Sequence, residues 1–217
     1  LEDPRGYGAV EYAYALMAKA AGITMSPCRL LEENGRRHFM TRRFDRTPEG
    51  DKLHMQSLGA LAHFDYNAPG AHSYEESFMV ARRLGLPIDT GEELFRRMVF
   101  NVVARNQDDH VKNIAFLMDR SGRWTPAPAF DITYSYQPAG RWTGRHQMSL
   151  NGRRDNFVWD DIKAAAANAT LRRGQAETIT REVCDAVSRW PHFAREAGVP
   201  HEQRRAIQQT HRLHLVP

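Results

Sequence analysis

Apolar residues at Leu94, Phe95, Met98, Val99, Val102 and Val103 recur at helical spacing and predict a helix over Glu92–Arg105. Its broad apolar face is that of a helix set inside a helical layer. A similar pattern, with Val10, Tyr14, Met17, Ala18 and Ala21, predicts a helix over Ala9–Ala21 that Gly22 ends. The segments Cys28–Glu32 and Arg37–Phe44 read as strands. Between them the pair Asn34-Gly35 is a strong hairpin signal. Thr47–Asp51 reads as a polar loop, and helices follow at Ser57–Ala62 and Tyr74–Leu84, separated by the break Ala68-Pro69-Gly70. Past the long helix, Ile114–Met118 and Arg123–Thr125 pair as strands across the turn Asp119–Gly122. Gly140–Gly152, rich in Gly, Arg and His, reads as a solvated loop, with an irregular hairpin as the alternative. The remainder is helical: Trp159–Ala169 with Asp155 or Asn156 as its cap, Gln175–Trp190, and Glu202–His214, with breaks at Pro191 and Gly198–Pro200. No internal repeat interrupts this order.

Composition adds bounds. At 217 residues, 41% hydrophobic and 26% charged, the chain has the makeup of a globular protein with a sizeable core. The net charge of +4 and pI near 9.3 are mildly basic, without a long Lys/Arg block. Cys28 and Cys184 stand far apart, at no metal-ligand or redox spacing, as in a reducing cytoplasm. No apolar run is long enough to cross a bilayer, and no basic-then-apolar leader opens the chain, which predicts a cytoplasmic protein without a membrane partner. Leu1–Gly8 is polar, reads as an entry or a cut linker, and lacks an initiator Met, so a fragment is expected. His201, His211 and His214 share no ligand spacing and are expected at the surface.

The chemistry concentrates in Asn106-Gln-Asp-Asp-His-Val-Lys-Asn113, a polar run between a core helix and a core strand, where a rigid frame can hold reactive groups. Asp108 and Asn113 stand five positions apart. Protein kinases place a carboxylate that orients the accepting hydroxyl and an Asn that holds magnesium at that spacing. After the predicted hairpin, Asp131 lies alone among apolar residues and supplies a second acid for the metal. An Asn oxygen and a carboxylate are hard donors of the kind magnesium shares with phosphates. Two plainer readings stand beside this one. Asp-Asp-His at a turn can be a solvated cap, and Asp108, Asp109, His110 and Asp131 could instead form a hydrolytic metal site.

At these residues the chain resembles a known family. Asp-Asp-His-Val-Lys-Asn (108–113), Phe-Leu-Met-Asp (116–119) and Pro-Ala-Phe-Asp-Ile-Thr (128–133) resemble the catalytic core of HipA-like serine/threonine kinases, bacterial toxins of toxin-antitoxin systems. Arg43-Phe-Asp-Arg46 resembles the family's hinge segment, and Glu11–Gly22 its N-lobe helix. The resemblance implies an α+β, protein-kinase-like fold, with a partial N-lobe and hinge over 1–46 and a mostly helical C-lobe over 47–217. It implies ATP and Mg2+ as cofactors, with Asp108 acting on the hydroxyl and Asn113 and Asp131 holding the metal. His110 and Lys112 would add polar and positive contacts near the transferred group. Arg42, Phe44 and Asp45 would lie at the adenine side, and Glu11 would pair with a phosphate-binding Lys, although a favourable acid in a first helical turn is an equal reading. The Gly-rich phosphate loop and that Lys are absent from the chain. Position 42 is Arg where the family often carries an acid. Implied partners are a helix-turn-helix, HipB-like antitoxin, operator DNA through it, and a protein substrate such as an aminoacyl-tRNA synthetase. A kinase-like subunit that docks the antitoxin without catalysis is the alternative of a different class.

Overall fold

The computed structural model describes residues 6–215; the expectation for Leu1–Arg5 lies outside the described residues. In chain order the elements are α1 (Tyr7–Ala20), β1 (Cys28–Glu33), β2 (Arg36–Thr41), β3 (His54–Ser57), α2 (Leu58–Ala62), α3 (Tyr74–Arg83), α4 (Ile88–Val103), β4 (Ala115–Met118), β5 (Trp124–Pro126), α5 (Trp159–Asn168), α6 (Gln175–Ser188), α7 (Trp190–Glu196) and α8 (His201–Gln208). The fold is mixed α+β.

Helix α4 is the axis of the core. Leu94, Phe95, Met98, Val99, Phe100, Val102 and Val103 are all buried, so its apolar stripe meets neighbours on more than one side. Helix α1 packs into the same core: Tyr14 meets Phe100 edge-on at 6.2 Å and Trp190 at 5.2 Å. Such aromatic pairs each add roughly 0.5–1.5 kcal/mol beyond the area they bury. The predicted hairpin forms as β1 and β2, antiparallel with Glu33 opposite Arg36 across Asn34 and Gly35. Asn34 takes φ 52° and Gly35 φ 72°, the left-handed pair that this turn requires.

Several boundaries differ from the sequence pattern. Helix α4 starts four residues early, at Ile88, because Pro87 presets the entry geometry, while Ile88 itself is 82% exposed and adds nothing to the periodicity. Strand β3 was not expected, since His54-Met-Gln-Ser57 has no alternation of apolar and polar residues. Its backbone nevertheless completes a three-stranded sheet in the order β3-β4-β5. The expected helix Gln175–Trp190 ends at Ser188, and Trp190 opens a separate helix, α7, with Pro191 in its first turn. The solvated-loop expectation for Gly140–Gly152 is corrected: His146, Gln147, Met148 and Leu150 are buried. Neither Asp155 nor Asn156 caps α5. Asp161 receives the Val158 N–H at 2.9 Å instead, and Asp155 pairs with Arg212. His211, expected at the surface, is mostly buried against Tyr14.

Two devices carry the chain to the polar run and away from it. Arg105 leaves α4 with φ 60°, and the C-terminal segment clasps this exit. Arg212 N–H donates to Val103 C=O at 2.9 Å, Arg105 Nε donates to Thr210 C=O at 2.8 Å, and Tyr14 OH donates to Ala104 C=O at 2.7 Å. Because the hydroxyl proton is used there, His211 Nε2, 3.2 Å from it, must be the donor. Downstream, buried Arg97 pairs with Glu93 at 2.7 Å and donates to Ala127 C=O at 2.9 Å, which fixes the segment leading to Asp131. Removing one partner of a buried pair strands the other charge. We predict that Arg97→Ala costs about 3–5 kcal/mol in urea unfolding; a loss below about 1 kcal/mol would assign the pair no structural role.

Candidate functional site

The run 106–113 is held by its second aspartate. Asp109 is buried and accepts three hydrogen bonds: from Tyr74 OH at 2.5 Å, from His146 Nδ1 at 2.6 Å and from the Gln147 N–H at 2.7 Å. The other ring nitrogen, His146 Nε2, lies 3.1 Å from Arg212, and a guanidinium can only donate, so the imidazole proton sits on Nδ1. Burial pushes the Asp109 carboxyl up, but His146, Tyr74 and Gln147 more than offset it and keep it below the ordinary aspartate value. Asn106 Nδ2 bonds Asn101 at 2.9 Å, and Asn101 bonds Tyr74 OH at 3.0 Å, so α3 and α4 brace the same hydroxyl.

Fixing Asp109 turns its neighbour the other way. Asp108 is half-buried, and its backbone C=O accepts from Asn113 Nδ2 at 2.9 Å while Asn113 N–H closes the turn on His110 C=O at 2.8 Å. With its nitrogen spent, the Asn113 amide has its oxygen left to offer. Asp131, exposed and at φ 56°, precedes a segment pinned to the run: Gln107 N–H donates to Ser135 C=O and Ser135 N–H to Arg105 C=O, both at 3.1 Å. Asn106, Asp109, His110, Asn113, Phe130 and Asp131 share the wall of a small cavity of about 20 Å3, room for one water molecule. Asn106 Oδ1 and His110 Nδ1 are buried without hydrogen-bond partners among the described residues. The Asp108 carboxyl is pushed up, first by burial and then by Asp131 and Asp109, with His110 opposing.

The remaining expected residues divide. Glu11, on α1, is drawn into the same electrostatic neighbourhood, since burial and Asp131 push its carboxyl up to about 7. Lys112 is exposed, its ammonium 3.8 Å over the Tyr66 ring, and it does not line the cavity; His110 meets the same ring edge-on at 6.2 Å. Arg42 has both backbone groups engaged, donating to Pro27 C=O at 2.8 Å and accepting from Ser26 Oγ at 2.6 Å, which leaves Arg43 and Phe44 to offer a backbone edge. Phe44 stacks obliquely on Phe130 at 5.5 Å in a small apolar cluster with Leu53, Ala115, Leu117 and Ala127, next door to Asp131. Asp45 is gripped by Arg43 at 2.8 and 2.5 Å and by Arg46 at 2.6 Å, and the Arg43 bonds hold its carboxyl below the usual range. It pins the linker instead of facing a ligand. A larger groove of about 650 Å3, between the end of α1 and the start of α4, contains none of these groups.

Tyr74, His146, Arg212 and Tyr66 were not singled out from sequence. His146 had a signal in the alternation His146-Gln-Met148-Ser-Leu150, which is that of a half-buried segment. Tyr74 and Arg212 had none, because their partners lie 35 and 66 residues away.

Comparison with known proteins identifies the family and the fold. Residues 2–190 match the HipA-like C-terminal domain, and the chain belongs to that family. Two proteins of Sinorhizobium fredii (strain NBRC 101917 / NGR234) named as candidate kinases are similar: Y4mE, 26% identical across 84% of this chain and 39% of its own length, and Y4dM, 34% identical across 66% of this chain and 35% of its own. Among solved structures, HipA in the Shewanella oneidensis MR-1 complex of HipA, HipB and operator DNA superposes with a TM-score of 0.76 at 17% identity, covering 96% of this chain and 54% of that one. The Helicobacter pylori proinflammatory kinase CtkA superposes with a TM-score of 0.50 at 10% identity, covering 91% and 86%. The fold is thus that of HipA and CtkA, and the chain spans well under two thirds of the curated relatives and of HipA.

The Glu11 carboxyl gives the site a pH signature. Between pH 4.5 and about 7 the folded chain holds a proton that the unfolded chain has released, so stability falls as pH rises through that window and stays lower above it. Glu11→Gln removes the slope. Its melting temperature should match wild type near pH 4.5 and exceed it at pH 8; an equal difference at both pH values would contradict the placement of Glu11 beside Asp131.

Proposed function

We propose that this chain is the catalytic part of an ATP- and magnesium-dependent protein serine/threonine kinase, the toxin half of a toxin-antitoxin pair. One observation carries the reading: Asn113 and Asp131, from a turn and a separate segment, line one small cavity, and the neighbouring Asp108 feels the Asp131 charge while its backbone C=O holds the Asn113 amide. Family membership supports kinase chemistry.

The donor set fits the implied metal. It consists of carboxylate and carboxamide oxygens, with no sulfur and no gathered imidazoles, which suits a hard cation that shares its ligands with substrate phosphates. Among the described residues no group of three or more His, Cys, Asp or Glu side chains is assembled as a ready-made metal cage, and a kinase-type magnesium site does not need one. Asn113 and Asp131 would hold the ion. Bound magnesium and ATP would supply the phosphoryl group and neutralise charge developing on it. Asp108 would orient the accepting Ser or Thr hydroxyl and take its proton at the carboxylate, and its raised affinity for a proton suits it to that task. Phe44 and Phe130 offer an apolar wall for the adenine ring, with the backbone of Arg43 and Phe44 at its edge. The β1–β2 hairpin and α1 would belong to the nucleotide-side lobe, where Glu11, on which no cation acts among the described residues, would be open to a Lys partner.

The HipA of Shewanella oneidensis is found with HipB and operator DNA. A HipB-like antitoxin and, through it, operator DNA are accordingly the partners proposed here, and a cytoplasmic location follows from them. The test is transfer of labelled phosphate from ATP to protein by the full-length protein. Asp108→Asn and Asp131→Ala should each lower the rate at least about a thousandfold with unchanged circular dichroism. Phosphorylation by Asp131→Ala at the wild-type rate would refute the assignment.

A further inference from the structure

A second cavity, of about 180 Å3, opens in the 138–154 segment, and its wall is made by Pro138, Gly140, Arg141, Gly144, Arg145 and Arg154. Three of its six wall residues are arginines and none is acidic. None of the three has an acidic partner within 4 Å among the described residues; Arg141 and Arg145 are exposed, but half-buried Arg154 differs in this from Arg46, Arg96, Arg97, Arg105 and Arg212, which each have one.

The arrangement is built. Arg154 is half-buried, and its Nε donates to His146 C=O at 2.6 Å, which leaves the two terminal nitrogens for the cavity. A Cβ at Gly70 would lie 2.5 Å from the Arg154 Cδ, so glycine there gives the side chain its passage. The turn carrying Arg141 and Arg145 closes only around Gly144, where a Cβ would meet Gly140 C=O at 2.7 Å. Arg141 is further steadied over the Trp142 ring at 4.7 Å. Burial pulls the Arg154 guanidinium below its ordinary pKa, Asp109 opposes this only in part, and Arg145 adds a smaller push in the same direction as burial.

We propose that this cavity is a receptor for a single phosphoryl group carried on a protein segment, a phosphoserine or phosphothreonine. Planar forks of N–H donors match phosphate oxygens two at a time, and the cavity has the volume of such a group with a few waters. Three arginines line one compact cavity here. A nucleic-acid strand is better matched by charges drawn out along a groove with stacking rings between them. The receptor also lies beside the frame of the candidate site, because Arg154 holds the His146 carbonyl while the His146 ring holds Asp109. A segment docked there would run past the Asp108 loop. The proposal does not need the kinase reading, since phosphoryl binding is measurable without nucleotide.

The experiment is fluorescence anisotropy of a labelled phosphoserine peptide and its unphosphorylated twin with the intact chain, without ATP or magnesium. Inorganic phosphate and a single-stranded oligonucleotide serve as competitors. We expect the phosphopeptide to bind at least about tenfold tighter than its twin, inorganic phosphate to displace it, and exposed-site variants Arg141→Gln and Arg145→Gln each to weaken it about tenfold at unchanged melting temperature. Equal binding of the two peptides, or undiminished binding by Arg145→Gln, would overturn the proposal. So would an oligonucleotide that binds through these arginines more tightly than the phosphopeptide, which would reassign the cavity to nucleic acid. Loss of phosphoryl transfer in the kinase assay leaves this result standing, and the reverse holds too.

Discussion

The architecture depends on one buried carboxylate. Asp109 gathers a hydroxyl from α3, an imidazole and a backbone amide from the 146–147 segment, and through that imidazole a guanidinium from the C-terminal segment. A charge buried this deeply is tolerable only when donors surround it. Satisfying that demand draws three stretches of chain, distant in sequence, onto the end of α4. The loop between α4 and β4 is thereby given one conformation, and Asp108, next in line, is left half-buried beside it.

What the frame presents is a surplus of negative charge. Burial first, and the Asp131 charge after it, push the Glu11 and Asp108 carboxyls toward the protonated form, with Asp109 adding to the push on Asp108 and His110 opposing it. Such crowding is unfavourable for an empty protein and favourable for one that takes up a divalent cation with a phosphate chain. The Arg97–Glu93 pair and the Ser135 bridge hold Asp131 in this company despite its left-handed backbone, a conformation uncommon outside glycine.

Much of this was legible in the sequence because the signals were local. The α4 stripe, the Asn34-Gly35 turn, and the five-residue interval from Asp108 to Asn113 are properties of short segments, and each predicts its own neighbourhood. Asp131 was expected to return beside Asn113 by way of the β4–β5 hairpin; that hairpin forms, and the Ser135 bridge to residues 105–107 lies just beyond Asp131. What stayed hidden was relational. Nothing in the residues around Tyr74, His146 or Arg212 says that they meet, and the Gly- and Arg-rich composition of 140–152 read as solvent-facing because its burial depends on a carboxylate elsewhere. Asp108 and Asp109 are chemically identical in sequence; only packing assigns one to the frame and the other to the site. His211 was misread for the same reason, since its partner Tyr14 lies at the far end of the chain.

The measurement that tests the central claim most directly is paramagnetic broadening of the Asn113 side-chain amide by Mn2+ used in place of magnesium. In the presence of ATP, Mn2+ should broaden that resonance selectively in the wild-type chain and spare it in Asp131→Ala, because both residues would hold the same ion. Broadening of equal strength in both proteins, or none in either, would contradict a shared metal and nucleotide site at Asn113 and Asp131.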